Sequence, residues 1–149
     1  MREKFAESLK EAMRAKDARR LTTIRLIQAA VKDRDLANRA SGKEPVGDDE
    51  IMLILVKMIR QREESVAAYE EAARLELAEQ EREEIAVIRQ FMPEQMPEEE
   101  VQELCRSVVE ETNAQGLRDM GKCMNTLKQR YPGRMDFTKA SGVVKGLLR

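Results

Sequence analysis

The sequence predicts an all-α protein in two parts: an N-terminal helical domain of long antiparallel helices over residues 1–92 and a C-terminal three-helix domain over residues 97–149. Three observations carry this. Apolar residues recur every three or four positions along most of the chain, and no segment alternates apolar and polar side chains as a half-buried strand does. Charged residues make up 37% of the 149 and aromatics only 3%, a balance suited to exposed helices around a thin core. Two of the four prolines, Pro93 and Pro97, bracket the break "MPEQMP" between two stretches of helical pattern.

Phe5, Leu9 and Met13 stripe a first short helix. Asp17 has the side chain to cap a second, along which Leu21, Ile24, Ile27 or Gln28, and Val31 repeat. "SGKEPVGDD" reads as an exposed loop. Asp48 or Asp49 then opens a third helix, with Ile51, Leu55, Met58, Ile59, Val66 and Tyr69 inward. No glycine or proline interrupts it before about Leu75. A fourth helix runs from Leu77 to Met92, with Ile85, Ile88 and Met92 inward and "EQEREE" outward. Helices this long and charged bury their stripes by packing on one another.

In the C-terminal part, Glu98, Glu99 and Glu100 suit the positive end of a helix dipole, and Val101, Leu104, Cys105 and Val108 line the helix they open. Met120, Met124, Leu127 and Tyr131 line the next, which Pro132-Gly133 stops. Asp136 or Thr138 opens the last, with Phe137, Val144, Leu147 and Leu148 inward.

"GLRDMGKC", Gly116 to Cys123, is one atom short of a phosphate-binding loop. Such a loop works between a buried strand and a helix, where its backbone N–H groups wrap a phosphate. The residues before Gly116 continue a charged helix instead. Cys123 stands where a magnesium-binding hydroxyl belongs, and a thiol is a poor ligand for that hard cation. The reading is therefore structural, with no nucleotide bound. Gly116 ends one helix in a left-handed cap, Gly121 admits a close neighbour or frees the first turn of the next helix, and Met120 and Met124 belong to the core.

Other chemistry is thin. With no histidine, Ser–His and Cys–His pairs and histidine-bearing carboxylate metal sites do not arise. Ser141 and Lys145 lie one helical turn apart, a spacing common by chance in a charged helix. Cys105 and Cys123 are too few for a zinc cluster. No cofactor and no metal is expected. The charged N-terminus is unlike a signal peptide and no apolar run reaches membrane-spanning length. Two lone thiols fit a reducing compartment, so the expected location is cytoplasmic.

Net charge is −1, but the charges are unevenly placed. Acids dominate from Pro93 to Glu111; beyond Thr112 the balance inverts. Lys122, Lys128, Arg130, Arg134, Lys139 and Lys145 come from two helices and the turn joining them. They are the candidate nucleic-acid-binding set, able to follow a phosphate backbone, or else ordinary solvating cations around a small core.

Three stretches carry a resemblance: "RLTTIRLIQAAVKDRDL" from Arg20, "RQREESVAAYEEAARLELAEQEREEIAVIRQFMPEQM" from Arg60, and "MGKCMNTLKQRYPGRMDFTKASGVVKGLL" from Met120. Together they resemble the GatB/YqeY family over nearly the whole chain. The family signature falls on Met120, Gly121, Lys122, Met124, Leu127, Gly133, Arg134, Asp136, Val144, Lys145 and Leu148. Met135 and Phe137 depart from it, making the turn beside Arg134 more apolar. The resemblance implies kinship with the tail of the B subunit of the glutamine-dependent tRNA amidotransferase, a part that helps hold tRNA. The family label, carbon–nitrogen ligase with glutamine as amido donor, refers to catalytic parts with no counterpart among these residues. The expectation is a non-catalytic module that binds tRNA or a tRNA-handling protein; the alternatives are an adaptor built on the long N-terminal helices and a subunit or accessory of a carbon–nitrogen ligase with glutamine as amido donor.

Overall fold

A computed structural model describes all 149 residues, Met1–Arg149. The fold is all-helical. It comprises α1 (Arg2–Arg14), α2 (Ala18–Ala40), α3 (Asp48–Glu71), α4 (Leu75–Arg89), α5 (Glu98–Glu111), α6 (Met120–Arg130) and α7 (Phe137–Leu148), with a single 3-10 turn at Leu117–Asp119 before α6. The helices gather into two compact units, Met1–Met92 and Pro93–Arg149. None of them is long and apolar enough to cross a membrane.

In the first unit α2 packs on α1 and α4, and α3 pairs along α4. Ile24, Ile27, Ile51, Leu55 and Ile88 are fully buried between them. Phe5 meets Phe91 edge-to-face at 4.9 Å between ring centres, a favourable geometry for aromatic rings. The stripe expected on α1 is displaced. Phe5, Ser8 and Ala12 are buried, while Met13 is 54% exposed. Small residues at positions 8 and 12 let α1 settle closely on α2 and turn Met13 outward.

Asp17 caps α2 as expected, its carboxylate accepting from the Arg20 amide at 3.1 Å. The cap of α3 is Gly47, with no side-chain bond; Asp48 and Asp49 lie inside the first turn, where the helix dipole still favours them. Arg2 grips Asp35 through two 2.7 Å bonds and also donates to the Val46 carbonyl at 2.9 Å. The Val46 amide returns a bond to Asp35 at 2.8 Å. This clasp fastens the 41–47 loop to α1 and α2. Arg2, followed by the Val46 amide, holds the Asp35 carboxyl down at about 2. A second set of ion pairs links Arg62 to Glu84 at 3.0 Å and Arg19 to Glu83 and Glu84.

The third helix stops four residues earlier than its pattern suggests. Ala73 adopts φ 58°, the Ala73 amide donates to Glu70 O, and the Arg74 amide donates to Tyr69 O at 2.8 Å. These are the paired bonds of a left-handed helix stop. The same pairing recurs after α1 at Lys16, after α2 at Gly42 and after α5 at Asn113. Only one of these four corners is a glycine, so three carry a side chain in a region that disfavours it.

Candidate nucleic-acid interface

In the second unit α5, α6 and α7 enclose Cys105, Val108, Cys123, Leu127, Ala140 and Val144. The family-signature residues divide by role. Met124, Leu127, Val144 and Leu148 are buried, and Met120 packs partly against the same core. Gly133 takes φ 73° in the turn after α6, a conformation suited to glycine. Asp136 caps α7, accepting from the Thr138 amide at 2.9 Å. Met135 and Phe137 are both buried, so the apolar departures in this turn feed the core. Leu147, expected inward, is 39% exposed. The buried stripe of α7 runs Phe137, Ala140, Val144, Leu148, and Leu147 sits a hundred degrees off Leu148 by helix geometry, at about that angle per residue.

The segment resembling a phosphate loop is not one. Gly116 is extended, with φ 164°, and follows a helix rather than a strand. The left-handed cap of α5 falls on Asn113 instead of Gly116. A Cβ added at Gly121 would meet nothing within 4 Å, so no neighbouring helix approaches there. Cys123 is fully buried, its Sγ 3.4 Å from the Thr112 hydroxyl. Burial, and secondarily its proximity to Cys123, raises the Cys105 thiol above its ordinary value.

The six candidate cations part company. Lys122 Nζ donates to the Thr112 carbonyl at 3.2 Å, and Arg130 pairs with Glu111. Both thus turn toward the C-terminal end of α5, where unpaired carbonyls attract positive charge. Arg134 Nε donates to Glu94 O at 3.0 Å, and its main-chain oxygen accepts from the Met96 amide at 3.0 Å. Gln95 adds a bond to Gly133 O. Lys128, Lys139 and Lys145 are exposed. Lys122 and Lys128 stand about 120° apart around α6.

One face that the six do not define stands out on α7. The helix contains no carboxylate. Opposite its buried stripe it exposes Lys139, Gly142 and Gly146, flanked by Lys145 and Arg149. An added Cβ at either glycine would meet nothing within 4 Å. The acidic residues of this unit lie mainly on α5, with Glu98, Glu99 and Glu100 in its first turn. The signal in the sequence was the "KASGVVKGLLR" spacing of glycines and cations, which only the direction of Val144 and Leu148 converts into a face.

This geometry defines a small two-unit helical protein whose last helix presents a cationic, glycine-bearing surface. The family model of YqeY-like proteins matches residues 2–148, and the chain belongs to that family. It is 30% identical over 129 residues to altered inheritance of mitochondria protein 41, mitochondrial, of Pyrenophora tritici-repentis, a match covering 85% of this chain and 68% of that protein. It is 33% identical over 95 residues to an uncharacterised protein of Schizosaccharomyces pombe, covering 63% of this chain and 70% of the other.

Proposed function

We propose that the chain is a non-catalytic module that binds tRNA through the outward face of α7, with Lys128 of α6 as a further phosphate contact, in the cytoplasm. One observation supports this above the others. Lys145 and Arg149 flank the exposed Gly142 and Gly146 on a helix whose own residues include no carboxylate, with Lys139 exposed on the same side. Cations neutralise backbone phosphates irrespective of sequence, and two side-chain-free positions one turn apart let a bulky polyanion reach the helix backbone. The kinship with a tRNA-holding tail points the same way. Lys122, Arg130 and Arg134 are read as organising the unit, since each is spent on an internal contact.

Amide transfer by the isolated chain is set aside. Its two thiols are buried and no histidine is present to activate a nucleophile. Steady release of ammonia from glutamine by the purified protein would reverse that judgement.

Filter binding with total tRNA tests the proposal. Affinity falls steeply between low and raised salt, and the Lys128→Glu, Lys145→Glu pair weakens binding and flattens the salt dependence by roughly one unit of slope per lost contact. Unchanged affinity and slope in that pair, with the fold intact by circular dichroism, would remove this face from consideration.

A further inference from the structure

The N-terminal unit carries a groove that its own core leaves open. α2 packs on α1 and α4, and α3 on α4, so α2 and α3 touch each other little. Between them runs a trough of about 490 Å³. Ala30, Ile54 and the buried Met58 form its floor, and Leu53, 54% exposed, stands on the α3 rim. Arg34 and Glu50 close one end through a 3.4 Å ion pair. Asp33 lines the α2 wall and Lys57 the α3 wall; neither forms an ion pair within the chain.

We propose that this groove receives one amphipathic helix of about three turns from a partner protein. Three features select that occupant. The α3 wall from Glu50 to Gln61 is roughly 17 Å long at the helical rise, the length of three turns. Ten residues line the trough, whereas each side of a stable dimer uses roughly 20–30, so a lone helix fits where a second copy of this chain would leave most of its interface unmade. Beyond the paired Arg34 and Glu50, each wall keeps one charge of opposite sign, Asp33 on α2 and Lys57 on α3. The walls match a helix whose leucine stripe enters over Ile54 and Met58, with arginine on the flank facing Asp33 and glutamate on the flank facing Lys57. Met58 in the floor adds a flexible, polarisable surface that adapts to such side chains. The two charges set which way round the helix lies.

The test uses the full chain and a fluorescein-labelled peptide of about 14 residues, long enough for three to four turns. The peptide carries leucines at i, i+4 and i+7, arginines along one flank and glutamates along the other. Saturable anisotropy with a Kd of roughly 10–100 μM is expected. Leu53→Asp abolishes it. Asp33→Lys alone and Lys57→Glu alone each weaken it about three- to fivefold, the scale of an exposed charge pair. The double exchange restores it, because the helix then binds end for end; damage to the fold would not be rescued in this way. No saturation below about 1 mM, or single and double exchanges equally weak, overturns the proposal. So does a concentration-dependent dimer in sedimentation that Leu53→Asp dissolves, which would make a second copy the occupant.

Discussion

Lys122 Nζ lies 3.2 Å from the main-chain oxygen of Thr112, so the lysine of the phosphate-loop-like run caps the helix before it. The contact supplies a cation and a donor to the carbonyl end of α5. Lys122→Met, which keeps the stem and removes the charge, is expected to cost the second unit roughly 0.3–1 kcal/mol. Urea denaturation followed by circular dichroism measures it. A variant as stable as the parent would show that the bond contributes nothing.

Gly142 lies within α7 with open space where a side chain would go. Gly142→Ala should therefore stabilise the unit by about 0.5–1 kcal/mol, since alanine loses less backbone freedom in a helix. On the proposed reading the same change weakens tRNA binding. Tighter folding with weaker binding is the expected signature; tighter folding with unaltered binding would leave the glycine face without a ligand role.

Ala73 holds φ 58° at the end of α3. Replacing it with glycine relieves the side-chain crowding of that conformation and is expected to add roughly 0.5–1 kcal/mol, even after the larger freedom of glycine in the unfolded chain. Differential scanning calorimetry checks the direction, and a lowered Tm would contradict the strained-corner reading.

Asp35 titrates in a predictable window. Its carboxyl falls from an ordinary 3.8 to about 2 on folding. A lowered carboxyl stabilises the folded state fully above the unfolded value, and that contribution fades as pH falls toward the folded one. The Tm difference between the parent and Asp35→Asn should thus be constant above about pH 5 and shrink between pH 4 and 2. A difference that is unchanged at pH 2 would place the effect in packing instead of charge.

Cys105 and Cys123 are fully buried, so neither thiol should react with Ellman's reagent in the native protein. Leu127, also fully buried, touches the same core. Leu127→Ala is expected to cost about 2–4 kcal/mol through the cavity it leaves and to release both thiols together. Fast labelling of one thiol in the parent would argue against the packing described.

The fold class was readable because helical periodicity and aspartate caps are local properties. Asp17 and Asp136 each sit one residue before a helix and bond an amide within three positions. The end of α3 was hidden because Ala73 carries no composition signal; tertiary packing holds an alanine where glycine would announce the turn. Met13 and Leu147 satisfy the apolar pattern yet face outward, since a neighbour's position, and not spacing alone, chooses which apolar rows are covered. The cationic set was legible as residues but not as a surface. Thr112, Glu111 and Glu94 lie far enough away in sequence that their hold on Lys122, Arg130 and Arg134 appears only once the helices are assembled.

The strap from Glu94 to Met96 is stitched to the Gly133–Arg134 turn by three bonds, through Gln95, the Met96 amide and the Arg134 side chain. Anyone excising the C-terminal piece for spectroscopy should therefore begin the clone at Pro93. A clone begun at Pro97 would discard one half of that seam, leave the Gly133 and Arg134 carbonyls to water, and loosen the very corner that aims α7.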